Sequence, residues 1–175
     1  METFHDLVKN RRSIRKYADK PVERAKIESV LQTTLMSPAS KRANGWEFIV
    51  VNEAGTLAQM AECREFGSKF VANAPAAIVI AYDSEKSDVW YEDAAIAAII
   101  MQLAAADLGL GSCWVQVHNR QHDDTTSAEE FIRQLLGIPA SLRVLNIVTL
   151  GYKDEDRKPY DESKLSYDKI HWNKF

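Results

Sequence analysis

Residues 93–115 read DAAIAAIIMQLAAADLGLGSCWV, the most apolar stretch of the chain. Alanine, leucine and methionine are strong helix formers, and Glu92 and Asp93 stand where a helix N-terminus favours negative charge, so the run predicts a helix over 93–108. Gly109 or Gly111 then supplies the left-handed residue that ends it. From Ala94 to Ala106 only Gln102 interrupts the apolar sequence. A helix apolar all round must be covered on all sides. It falls short of the roughly 20 apolar residues of a membrane span, so the cover is protein. Either this is the central helix of one core, or a second copy of the chain covers part of it. The alanines favour the second arrangement by permitting close approach, although they also reflect helix propensity.

The chain has 175 residues with 46% hydrophobic content, enough for one domain with a substantial core. A net charge of −3 argues against general nucleic-acid binding, so any anion site must be local. Cys63 and Cys113 form no CxxC pair, which points to a reduced, cytoplasmic protein without a zinc cluster. The first residues, METFHD, lack the basic and apolar regions of a secretory signal.

Outward from the central helix, elements follow on both sides. Upstream, residues 76–82 (AAIVIAY) read as a strand buried on both faces, residues 54–63 as a helix, and residues 46–51 (WEFIVV) as a strand. Before them lie a polar loop at 37–45, a helix carrying Ile27, Val30, Leu31 and Leu35 and closed by Pro38, and a short amphipathic helix at 3–10. Downstream, residues 113–117 predict a strand. Ser127 with Glu130 starts a capping-box helix that Gly137 ends, and residues 143–150 form a further strand. Residues 151–175 are charged and turn-rich, yet they end in aromatic residues, which suits a tail that docks on its own body or a partner.

Arg11, Arg12, Ser13 and Arg15 follow the first helix directly and combine forked donors with a hydroxyl, the chemistry that phosphate and carboxylate groups recognise; a solvated charge run is the plain alternative. Gly109 and Gly111 follow a helix and precede a strand, the reverse of a dinucleotide-binding loop, and therefore read as a cap and turn. His118 and His122 lack the HExxH carboxylate and read as surface histidines rather than metal ligands. Ser112 has no GxSxG elbow and neither cysteine has a Cys/His setting, so no protein nucleophile is indicated. A local anion cluster without acid, base, nucleophile or metal set points to chemistry supplied by a bound cofactor.

Four segments in order resemble the short form of the nitroreductase family of FMN-dependent oxidoreductases: RRSIRKY at 11–17, the stretch from SPAS at 37–40 to WEFIVV at 46–51, LGLGSCW at 108–114, and LGY at 150–152 with RKP at 157–159 and the HWN tail. The resemblance implies an α+β fold, with a mixed or antiparallel sheet of about four to five strands surrounded by helices, in an intertwined homodimer. It implies one domain over 1–175, with 152–175 embracing the partner. It also implies FMN at the subunit interface, NADH or NADPH as reductant, and hydride passed by a ping-pong mechanism to a nitroaromatic, quinone or similar acceptor, with no metal and no catalytic side chain. A flavin-storing or flavin-modifying member is the alternative.

By position, Arg11, Arg12 and Ser13 look like phosphate and ribityl contacts, joined by Arg157 and Lys158, and Arg15 looks like the residue at the pyrimidine edge. Trp114, Val115 and Gln116 fall where the family lines the flavin; Ser40, Arg42 and Asn44 fall where it reaches the partner's flavin. Two positions depart from the pattern. Arg42 and the Asn44-Gly45 pair replace the usual loop residues, and Glu155 stands where many relatives carry lysine, shifting phosphate binding towards the N-terminal arginines and Lys153. In the dimer, alanines such as Ala97 and Ala98 are expected to face outwards to the partner.

Overall fold

In the computed structural model, which describes residues 3–175, β1 (Trp46–Val51), β2 (Ala76–Asp83), β3 (Gly111–Gln116) and β4 (Leu142–Gly151) form one sheet in the order β1-β2-β4-β3. Every pairing is antiparallel, which resolves the choice between a mixed and an antiparallel sheet. β2 and β4 are central and must be apolar on both faces. In β2, Ile78, Ile80 and Tyr82 face one core while Ala77, Val79 and Ala81 face the other. The register slips between Ile80 and Ala81, where one extra residue of β4 is accommodated, so Leu145 joins the first core while Val144 and Ile147 join the second.

The first face is covered by α2 (Arg24–Thr34) and α4 (Trp90–Asp107), against which α1 (Phe4–Asn10) packs. The second is covered by α3 (Ala54–Met60), α5 (Ala128–Leu136) and the 3-10 turns Ala61–Cys63 and Lys69–Asn73. Local chemistry sets these ends: the Ser127 hydroxyl accepts from the Glu130 N–H at 3.0 Å, and Gly137 closes α5 at φ +65°.

The central helix starts at Trp90, ahead of the acidic pair, and ends at Asp107. Gly109, at φ +77°, is its left-handed cap, whereas Gly111 already belongs to β3. Ala94, Ala97, Ala98, Met101 and Ala105 are fully buried in the core that contains Ile78, Ile80, Val148 and Leu150. Ala97 and Ala98 therefore face inwards, contrary to expectation. The exposed side carries Tyr91, Ile96 and Ile99. A helix apolar on all sides contains no polar stripe from which its outward face could be read.

Beyond Gly151 the chain forms two short turns, Glu162–Lys164 and Tyr167–Lys169. It is tied to α1 by Glu162, which pairs with His5 and Lys9, and by the Tyr160 N–H to the Lys9 carbonyl at 3.0 Å. Leu165, Tyr167, Ile170, Trp172 and Phe175 are exposed. Among the described residues no helix is long and apolar enough to cross a membrane.

Candidate functional site

After α1 the arginine-rich segment runs along β3 and the end of β4. The Ile14 N–H donates to the Ser112 carbonyl at 2.9 Å, next to a bridge between Ser13 and Ser112. The Tyr17 hydroxyl is within 2.7 Å of both the Ile14 carbonyl and the Thr149 hydroxyl. Two glycines allow this approach. Gly111 and Gly151 face each other across the strand pair, and an added Cβ would sit 2.9 Å from Ile14 at the first and 2.6 Å from the Tyr17 ring at the second. Gly111 is thus a packing glycine rather than a helix cap.

The cations on this segment divide into engaged and free. Arg12 donates to the Lys158 carbonyl and stands over the Tyr160 ring at 4.8 Å. Among the described residues the guanidinium groups of Arg11 and Arg15 have no ion pair or side-chain hydrogen bond; Arg15 lies over the Phe70 ring at 5.8 Å. Ser13 approaches the Cys113 thiol, which burial pushes up despite the opposing influence of Arg15, Ser13 and Arg11. The segment after β4 supplies the rest. The Ala18 N–H reaches the Tyr152 carbonyl, the Asp154 N–H reaches the Lys16 carbonyl, and Arg157 pairs with Glu155 at 2.7 Å. Arg11, Arg12, Ser13, Arg15, Arg157 and Lys158 are thereby gathered from both ends of the chain. Lys158 enters through its backbone carbonyl.

Trp114 and Gln116 alternate with Val115 along β3, so they share one face of the sheet while Val115 takes the other. The Trp114 indole N–H donates to the Gln116 side-chain oxygen at 2.9 Å, and the Gln116 amide donates to the His118 carbonyl at 2.9 Å. Both side chains are locked by these bonds. Val115 is buried in the core beneath α3 and α5, which leaves only its main chain for a ligand.

The loop bearing Ser40, Arg42 and Asn44 precedes β1, the opposite edge strand, and does not join the arginine cluster within the protomer. Lys41, Arg42 and Asn44 have φ of +50°, +57° and +45°, an uncommon conformation for residues other than glycine. Asp93 holds the loop: this buried carboxylate accepts from the Ser40 N–H at 2.8 Å and the Tyr82 hydroxyl at 2.9 Å. Gly45 lies so close to the Tyr82 ring that an added Cβ would be 2.5 Å away.

His118 and His122 are packed rather than superficial. His118 stacks on Tyr91 with ring centroids 5.6 Å apart, and His122 stacks on Phe131 at 4.1 Å. Among the described residues no group of His, Cys, Asp and Glu could hold a metal ion. Sequence reading missed Tyr17, Asp93 and Glu155 as parts of the site's frame. Each carried a signal without a role: Asp93 as an acid opening an apolar run, Tyr17 as the end of the RRSIRKY motif, and Glu155 as an acid where relatives often carry lysine.

Fold and cluster together define an α+β protein in which two forked cationic donors have no ion pair among the described residues. The nitroreductase family profile matches residues 8–64 and 54–152, and the chain belongs to that family. A solved Clostridium difficile R20291 structure, described as an FMN-dependent nitroreductase, is 49% identical with a TM-score of 0.95, covering 97% of this chain and 98% of that one. A Parabacteroides distasonis structure is 31% identical with a TM-score of 0.88, covering 98% of each chain. An Archaeoglobus fulgidus protein provisionally named NADH dehydrogenase/NAD(P)H nitroreductase is 34% identical over 180 residues, covering 100% of both chains.

Proposed function

We propose that this chain is an FMN-dependent oxidoreductase that takes hydride from NADH or NADPH and passes it to a small nitroaromatic, quinone or similar conjugated acceptor in a ping-pong sequence. The observation that carries this reading is the pair of guanidinium groups, Arg11 and Arg15, that form no ion pair or side-chain hydrogen bond among the described residues, on a segment pinned to β3. Forked donors beside the Ser13 hydroxyl fit a phosphate and the polar edge of a flavin, and the close packing at Gly111 and Gly151 fixes the segment that carries them. FMN, when bound, supplies the hydride chemistry, accepting at N5 and donating from it.

The chain's own part is binding, orientation and electrostatics. Arg11, Arg12 and Ser13, with Arg157 and Lys158, hold the phosphate and ribityl chain. Arg15 sets positive charge at the pyrimidine edge, where negative charge collects on reduction. Trp114, the Val115 main chain and Gln116 line the ring, while Ser40, Arg42 and Asn44 serve the second flavin of a homodimer. Exposed Phe4, Val8, Ile96 and Ile99 around α1 and α4, together with the aromatic residues of the tail, support that dimer. Residues 152–175 extend a single domain onto the partner. Two buried free thiols suit a cytoplasmic protein.

Anaerobic titration of purified protein with each nicotinamide cofactor, followed by an acceptor panel, tests the reading. A yellow protein bleached by NADH or NADPH and re-oxidised by an acceptor is the expected result. A colourless protein that gains no stability from added FMN would sink it, and a yellow one that neither cofactor bleaches would favour flavin storage or modification.

A further inference from the structure

One carboxylate stands inside the basic cluster. Glu155 Oε1 accepts the Arg15 N–H at 2.5 Å and the Lys16 N–H at 3.1 Å, and Oε2 pairs with Arg157 at 2.7 Å. Its side chain is only 12% exposed. The Arg15 N–H holds the carboxyl below the ordinary glutamate range against the cost of burial, with the Lys16 N–H and Arg157 adding to that effect. Repulsion alone would make an acid here a defect, because a fixed negative charge opposes an anionic ligand. Its bonding says otherwise: it takes the main chain of Arg15 and leaves that guanidinium free, while its other oxygen holds the side chain of Arg157. Of the other ties between these segments, Ala18 to Tyr152 and Asp154 to Lys16 are backbone bonds that orient no side chain, and the Arg12 guanidinium, which donates to the Lys158 carbonyl, touches neither Arg15 nor Arg157.

We propose that Glu155 is a positioning residue of the flavin site. It clamps the Arg15–Lys16 main chain to the segment after β4 and turns Arg157 into the same cluster, so that residues from both ends of the chain converge on one FMN. This rests on the flavin reading above.

The test compares wild type with Glu155→Ala and Glu155→Gln, measuring FMN dissociation constant, flavin midpoint potential and thermal unfolding. E155A is expected to weaken FMN binding at least tenfold and to lower the midpoint potential, because Arg15 no longer stays where charge collects on the reduced ring. E155Q keeps an acceptor for the two N–H groups but loses the ion pair, and should fall between. Simple removal of repulsion predicts the opposite signs, tighter binding and a higher potential. Either of those results, or an unchanged potential, overturns the clamp. If E155A does not fold, E155Q decides by the same two signs. Wild-type protein without FMN affinity removes the flavin reading and the clamp together, whereas wild-type binding with unaffected variants removes the clamp alone.

Discussion

The two sides of α4 reverse the usual order of sizes. Its inward side is built largely of alanines with no exposure, and its outward side shows Ile96 at 37% and Ile99 at 41% exposure. Small residues therefore mark where backbone approaches backbone, on the sheet and α2, while large apolar residues lie where the protomer has no cover of its own. Gly111 and Gly151 repeat the first half of this lesson at the arginine segment.

The largest effect is expected from charge on the inward side. Ala98→Asp should cost about 3–5 kcal/mol in urea unfolding, since it buries a charge without a partner. Next comes the outward side: Ile96→Asp with Ile99→Asp should leave the circular dichroism of the chain intact while weakening the proposed dimer roughly a hundredfold, about 2.8 kcal/mol, by analytical ultracentrifugation. Full dimerisation of that variant would show that α4's outward side is not the interface. Gly151→Ala should cost about 1–3 kcal/mol by overpacking against Tyr17 and Pro75, with a parallel loss of FMN affinity. If affinity survives, Gly151 is not what holds the arginine segment in place.

The smallest effect is one of pH. The Glu155 carboxyl lies below its ordinary value in the folded chain, so its contribution is complete above the usual glutamate range and is lost as pH falls through the folded value. Between neutral pH and about pH 4, wild type should lose more stability than E155Q. Equal losses in thermal unfolding would remove Glu155 from the account.

Much of the fold was legible because its elements carry strong local signals. The aromatic and β-branched residues of 46–51, the apolar run of β2, the Ser127 cap and Gly137 each act within a few residues of the chain, and each appears in the structure. The site was legible in part. Arg11, Arg12, Ser13 and Arg15 stand out as a charge cluster, but nothing in residues 151–158 indicates that Glu155 folds back onto the amides of Arg15 and Lys16, about 140 positions earlier. In sequence Glu155 stands out only as an acid where the family pattern often has lysine, and nothing there assigns it a partner.

By itself the sequence determined the helices, the strands, the apolar character of α4 and the charge cluster at 11–15 that is the candidate anion site, because propensity, periodicity and charge are properties of neighbouring residues. Only the tertiary structure decided which side of α4 is inside, that Gly111 packs instead of capping, that Val115 is buried beneath α3 and α5, and that Glu155 joins two distant segments. Those outcomes depend on contacts between residues far apart in the chain, where close packing and the satisfaction of buried polar groups choose among arrangements that local pattern leaves equal.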